Sequence, residues 1–266
     1  MEDQKLVQRC LEGDKQSLEK LIASVQGLIF NLSVRFLYNK MDAEDATQEI
    51  LLKLVTNLSK YDGRSKFTTW AYRVATNYLI SQKQTKIEGV LTSFDVYAAD
   101  LQYFKMPTDY NLPDKALLEK EVKTSCTLAM LQCLNREQRT AFILGSTLKI
   151  NSKVGAEIMG GTPENFRKRL EQARSVLGSF LNSNCGVYNP KNSCRCSKRI
   201  NTALACGRID KANLSFTTHV DLYNDEMEEL SSLSGIYHNH GTFQSTGDLI
   251  AHLHQMISTK KILSDN

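Results

Sequence analysis

Apolar residues in this chain recur at every third or fourth position and almost nowhere at every second, which is the spacing of helices with one buried face. The clearest case spans residues 42–86, DAEDATQEILLKLVTNLSKYDGRSKFTTWAYRVATNYLISQKQTK. Its start is acidic: Asp42, Glu44, Asp45 and Glu49 bring four negative charges, with no positive one among residues 42–49. An apolar stripe follows, formed by Ile50, Leu51, Leu54, Val55 and Leu58. A basic loop around Asp62-Gly63 carries Lys60, Arg64 and Lys66. The next helix holds the only tryptophan, with Phe67, Trp70, Ala71, Val74 and Tyr78 along one side. Asp42 is expected to cap the acidic helix, since its carboxylate can accept from free N–H groups and its charge suits the helix dipole.

An acidic helix next to a basic, aromatic-bearing one suits two partners of opposite charge. Carboxylates can dock on a basic protein, whereas cations and rings can hold phosphates and unpaired bases. The plainer reading is a helical hairpin with Trp70 in its core and solvated charges on its faces.

Upstream, residues 4–12 read as a short helix ended by Gly13, and Leu18, Leu21, Ile22, Val25, Leu28, Ile29, Leu32 and Phe36 mark a longer one. From Gly89 to Pro113 the period fails, and Pro107 and Pro113 mark a linker. Near Asp114 a second helical unit opens, with Val122, Leu128, Leu131 and Leu134 on one helix. Asn135 with Gln138 reads as a capping box for the next. In NSKVGAEIMGGTPENFRKRLEQARSVLGSFL, a short helix stops at Gly160-Gly161. Thr162 then caps a helix with Pro163 at its first position and Phe166, Leu170, Ala173, Leu177 and Leu181 inward. A helix, a glycine turn and a capped helix make a helix-turn-helix pattern. Its second helix would offer Glu164, Asn165, Arg167, Lys168 and Arg169 to a major groove: Asn and Arg suit base edges, Lys suits phosphates.

After Leu181, Cys185, Cys194 and Cys196 are spaced C-x8-C-x-C, with Cys206 ten residues on, among Lys191, Arg195, Lys198, Arg199, Arg208 and Lys211. Three thiols near Gly and Pro turns can begin a tetrahedral zinc or copper site, with Cys206 or a histidine such as His238 or His240 as fourth ligand. Reduced cysteines in a small packed knot, or a thiol pair that oxidises, fit the same spacing. Cys10, Cys126 and Cys133 fall in helical patterns and read as core. The last 50 residues suggest helices at about 221–233 and 246–262.

Composition narrows the class. With 33 Lys+Arg against 29 Asp+Glu the net charge is only +4, and 4 prolines in 266 residues favour an all-helical chain. No apolar run reaches the roughly 20 residues of a membrane span, and the polar start lacks the apolar core of a signal peptide. The expectation is a cytoplasmic protein without a membrane partner, its seven cysteines thiols or metal ligands rather than disulfides.

The DAEDATQEILLKL block and the F-TTWAYRVATNYL pattern after it closely resemble region two of bacterial RNA polymerase sigma factors of the extracytoplasmic-function type. NREQRTAFIL followed by the helix-turn-helix resembles sigma region four. The resemblance implies an all-α fold: region two at 1–88, a linker at 89–117, region four at 118–182 and a cysteine-containing, α-rich extension at 183–266. It implies that Asp42, Glu44, Asp45, Gln48 and Glu49 face the clamp helices of the largest subunit of core RNA polymerase. Lys66, Phe67, Thr69, Trp70, Arg73 and Asn77 would lie at the melted minus-ten element of promoter DNA. Thr162, Glu164, Asn165, Arg167, Lys168 and Arg169 would meet the minus-thirty-five element. It implies no catalytic residue, no required cofactor, and an anti-sigma factor as a further partner.

Two departures stand out: Ser81, Gln82 and Gln84 stand where the family usually has arginine, and Asn151-Ser152-Lys153-Val154 replaces a more acidic start to the first helix of the motif. A CGxxNPxxxCRC segment like the one here occurs in some sigma factors of this type. A stand-alone helix-turn-helix regulator with a metal- or redox-sensing cysteine tail is the alternative, but it gives the acidic helix and Trp70 no task.

Overall fold

The structure, a computed structural model, describes residues 2–83, 89–90, 93–103, 110–216, 237, 242–245 and 251, and every regular element among them is helical. The helices expected at about 221–233 and 246–262, and the loop histidines His238 and His240, lie outside the described residues. Contacts divide the chain into two units. One is Met1–Lys83 with Asn151–Phe166 and Thr242–Asn266; the other is Gln84–Ile150 with Arg167–Gly241.

In the first unit, α1 (Glu2–Leu11), α3 (Lys40–Thr56) and α4 (Phe67–Ser81) all pack on α2 (Lys15–Leu37). α2 is long and apolar enough to cross a membrane by length and composition, contrary to the expectation above, but most of that stretch is buried as the central helix of this bundle. Its start is fixed by Asp14, whose carboxylate accepts from the Gln16 and Ser17 N–H groups. The acidic helix starts three residues earlier than expected. Asn39, not Asp42, is its cap and accepts from the Asp42 N–H at 3.0 Å, which leaves Asp42 as a first-turn carboxylate. The start of α4 has no cap of its own; Asp3, on α1, accepts from the Phe67 N–H at 3.0 Å.

The same unit includes α8 (Ser152–Met159), which packs on α4, and the first turn of α9 (Pro163–Asn184). Here the sequence expectations hold closely. Gly160 takes the left-handed conformation at φ 68°, and the Gly161 N–H returns to the Ala156 carbonyl at 2.9 Å. The Thr162 hydroxyl accepts from the Asn165 N–H at 3.2 Å. Gly155 is needed for close approach, because a Cβ there would sit 2.4 Å from the buried Phe166 ring.

In the second unit the segment expected as a linker contains α5 (Phe94–Tyr103), whose Phe94 and Tyr97 pack on Phe180 with ring centroids 5.1 and 5.7 Å away. The apolar period of α5 is masked because its packing rests on aromatic residues too few to repeat. α6 (Lys115–Gln132) ends against Arg139 of α7 (Arg136–Phe142). That guanidinium is 1% exposed and donates to the Leu131, Gln132 and Leu134 carbonyls at 2.9–3.2 Å. α7 opens on Asn135, which accepts from the Gln138 N–H at 2.9 Å, and runs into a wider turn over Ile143–Thr147.

The cysteine segment is built into this unit. Its helix α10 (Cys196–Ala205) packs on α6, with Ile200 and Ala203 against Leu118 and Val122. The loop before it is closed by residues other than cysteine. The Gly186 N–H reaches the Cys194 carbonyl at 3.1 Å, at a place where a Cβ would collide with Arg195. Arg195 itself donates to the Pro190, Asn192 and Cys194 carbonyls, and Asn192 ties back to Asn182 and Cys185.

The thiols that gather are Cys185, Cys194, Cys196 and Cys126 of α6: Cys185 and Cys194 lie close enough to raise the pKa of both Cys126 and Cys196, and Cys126 that of Cys196. Cys126, read above as core, also accepts from the Tyr97 hydroxyl at 3.1 Å. Cys206 is exposed at the far end of α10, about 15 Å of helix away from Cys196. Among the described residues no group of three or more His, Cys, Asp or Glu side chains is disposed to hold a metal ion. Burial, first of all, pushes the Cys126 thiol up to about 12 and raises Cys196 as well.

Two outcomes are expected. Gly155→Ala should lose about 1–3 kcal/mol in urea unfolding, the overpacking outweighing a helix-propensity gain of roughly 1 kcal/mol, and Phe166→Leu in the same chain should restore part of it. In native-state alkylation at pH 8 read by mass spectrometry, Cys206 should react first. Cys126 should lag far behind, because roughly one part in ten thousand of it is thiolate; equal rates would contradict the burial described.

Candidate polymerase and promoter interfaces

α3 divides its residues by face. Ala43, Ala46, Thr47, Ile50, Leu51 and Leu54 are buried in the bundle. Asp42, Asp45 and Glu49 are exposed on the other side, with Glu44 and Gln48 half-buried at its margin. Five polar positions expected to act together thus share one helix, with three presented fully to solvent. The Tyr78 hydroxyl of α4 is close enough to this row that Glu49 and Asp45, after burial, raise its pKa. Lys53 lies over the Tyr78 ring at 5.7 Å, on the flank of the same helix.

α4 separates what holds it from what it offers. Phe67 and Thr69 are buried, so in this state they anchor the helix and are not presented to a ligand. Lys66, Arg73 and Asn77 are exposed and Trp70 is half-buried. Positions 66, 70, 73 and 77 are spaced by four, three and four, so they form one stripe of cations, ring and amide. Trp70 is held by its neighbours: Tyr61, Phe67 and Trp70 form a triangle with centroids 5.6–5.7 Å apart. The Tyr61 hydroxyl donates to the Ser65 carbonyl at 2.7 Å, which ties this cluster to the basic loop. Within that loop Arg64 folds onto Asp62, its Nε 2.6 Å from the carboxylate. Tyr61 carries no period of its own in the sequence, which is why its part in fixing Trp70 is visible only in three dimensions.

In the helix-turn-helix, α8 is capped by Asn151, which accepts from the Lys153 and Val154 N–H groups at 3.1 and 3.0 Å. The unusual start of this helix is thus a capping choice that keeps its geometry. On α9, Glu164, Asn165, Arg167 and Lys168 are exposed near the N-terminus, beside Thr162. Arg169 differs. It is half-buried and paired with Glu137, with nitrogens 2.8 and 2.9 Å from one carboxylate oxygen. Further along, Arg174 donates to the Ser146 hydroxyl at 2.9 Å. Glu137 and Ser146 lie some thirty residues from these arginines in sequence, and no local pattern announces either pairing.

Residues 21–86 match the family model for sigma-70 region 2. That span contains both the acidic row and the cation–aromatic stripe. Similar proteins include an RNA polymerase sigma-H factor of Pseudomonas aeruginosa, 29% identical over 68% of this chain and 94% of the relative. An ECF RNA polymerase sigma-E factor of Haemophilus influenzae is 27% identical over 66% and 93%, and the ECF RNA polymerase sigma factor SigW of Bacillus subtilis 25% identical over 66% and 95%. These relatives are matched nearly end to end by two-thirds of the chain. The chain thus contains a sigma-70 region 2 domain, and over two-thirds of its length it is similar to RNA polymerase sigma factors of the extracytoplasmic-function type.

Proposed function

We infer that the chain directs core RNA polymerase to specific promoters and assists the opening of their DNA at transcription initiation. The observation that carries this reading is the pairing, inside one region-two bundle, of an outward carboxylate row on α3 with an outward cation–aromatic stripe on α4. Asp42, Asp45 and Glu49, with Glu44 and Gln48 at their edge, dock on a basic coiled surface of the polymerase, the clamp helices of its largest subunit. Charge complementarity of this kind speeds encounter and fixes register, and it weakens with salt.

Lys66, Arg73 and Asn77 then hold the backbone of the minus-ten strand while Trp70 stacks on an unpaired base. Stacking is worth roughly 1–3 kcal/mol per base, enough to favour an opened pair once polymerase has bound. On α9, Asn165 and Arg167 read base edges at the minus-thirty-five element and Lys168 holds phosphate. Arg169, already bonded to Glu137, braces the helix. The chain supplies no catalytic group; nucleotidyl transfer is the work of the polymerase, in the cytoplasm where its DNA lies. An anti-sigma factor would act by covering these same faces.

Run-off transcription with core polymerase on promoters selected from genomic DNA tests the reading. Asp45→Lys should weaken association with core polymerase by about tenfold or more at moderate salt, consistent with reversal of a charge against a basic partner; unchanged association in a pull-down would sink the docking assignment. Arg167→Ala should lower promoter-dependent transcription by roughly 5- to 150-fold, the range of a lost base contact of about 1–3 kcal/mol, with polymerase association intact. Loss of association in that variant would contradict the division of labour between α3 and α9.

A further inference from the structure

Near the middle of the first unit, α2 carries two polar side chains in a place where a helical bundle ordinarily has none. Asn31 is 6% exposed and Arg35, one turn on, is 4% exposed. Burying an amide or a guanidinium without partners is costly, and the partner that completes this pair comes from residue 243. The Phe243 N–H donates to Asn31 Oδ1 at 2.7 Å, and Asn31 Nδ2 donates to the Phe243 carbonyl at 3.0 Å. Both backbone groups of one residue are thus clasped by one side chain, as a neighbouring strand would clasp them.

Arg35 steadies the clasp. Its Nη1 donates to Asn31 Oδ1 at 3.0 Å and to the Asn31 carbonyl at 3.1 Å, while its guanidinium carbon lies 4.6 Å from the centroid of the Phe243 ring. Phe243 is 6% exposed, an anchor rather than a passing contact. Two residues on, the Ser245 hydroxyl donates to Glu44 Oε1 at 3.3 Å. Residues 242–245 therefore run from the heart of α2 to the margin of the acidic row on α3. All of these residues lie in the same compact unit.

We propose that residues 242–245 are a strap, built from the chain's own C-terminal region, that competes with core RNA polymerase for the acidic face of α3. While the strap is closed it engages Glu44 and covers the flank of the row. Polymerase binding to that row releases Ser245 and Phe243 from α2 and α3. The proposal rests on the reading of α3 as the polymerase-docking face. The clasp is specific for backbone plus one aromatic ring, so the occupant can leave without unfolding a helix. The strap thereby sets affinity for polymerase by an intramolecular equilibrium, and any event that pulls on the C-terminal region shifts it.

The test is an equilibrium titration of the full chain with core polymerase, comparing wild type, Phe243→Ala, Ser245→Ala and Asp45→Lys. Phe243→Ala should bind roughly tenfold tighter, a coupling of ordinary size, and Ser245→Ala should shift in the same direction by less. If Asp45→Lys weakens binding and Phe243→Ala leaves it unchanged, the strap is overturned while the docking face stands. If Asp45→Lys changes nothing, the docking face itself fails and the strap falls with it. A readout on the wild-type chain avoids any folding defect of the variants. In hydrogen exchange the Phe243 amide should be protected in the free chain and should exchange faster when polymerase is bound; protection that does not change on binding overturns the proposal.

Discussion

A helix satisfies its own backbone except at its ends, and in this all-helical chain the closing of those ends decides what packs on what. Arg139 is the plainest instance. Its guanidinium, buried and spread over three carbonyls, terminates α6 and locks α7 against it. A positive group at a helix C-terminus is favoured by the helix dipole as well as by the bonds. α6 then serves as the platform for Tyr97, for Cys126 and for the whole of α10. In the first unit Asp3 plays the mirror role, an anion at the N-terminus of α4 contributed by another helix. Both devices place a charge where removing it would leave backbone groups unpaired inside the protein.

The outward faces follow from these fixings. α4 can show Trp70, Arg73 and Asn77 outward because Phe67 and Thr69 hold it inward and because Tyr61 and Phe67 brace the indole. α3 can carry its carboxylates on one side because the other is wholly apolar or small, down to Thr47, whose hydroxyl bonds the Ala43 carbonyl at 2.6 Å within the helix. The glycine-turn motif that aims α9 depends on a residue with no side chain, since only Gly155 lets the Phe166 ring lie against α8.

The stripes, the helix-turn-helix and its caps were legible in the sequence because each is a local rule: a period, a Thr before Pro, a pair of glycines, an Asn three residues before Gln138. Where a rule gives two candidates, the reading slipped by a turn. Asn39 and Asp42 are both good caps, and the choice of Asn39 depended on where α2 ends. What could not be read were pairings across long separations. Nothing near Asn31 points to Phe243, nothing near Cys126 points to Cys185, Cys194 and Cys196, and nothing near Arg169 points to Glu137. Buried aromatics hid α5 in a stretch that reads as linker, and an apolar helix at the centre of a bundle looks by composition like one in a membrane.

The contact between α10 and α6 has a consequence for building hybrids. Ile200 and Ala203 fill the surface made by Leu118 and Val122, with Ile209 and Tyr110 completing the same cluster. The cysteine segment is accordingly one half of a hydrophobic joint whose other half is α6. Moved to a similar protein, it would bring its own loop, held by Gly186, Asn192 and Arg195, but would find no matching seat. A transplant that works must carry the outward residues of α6 along with the tail, so the inherited unit here is the joint and not the segment.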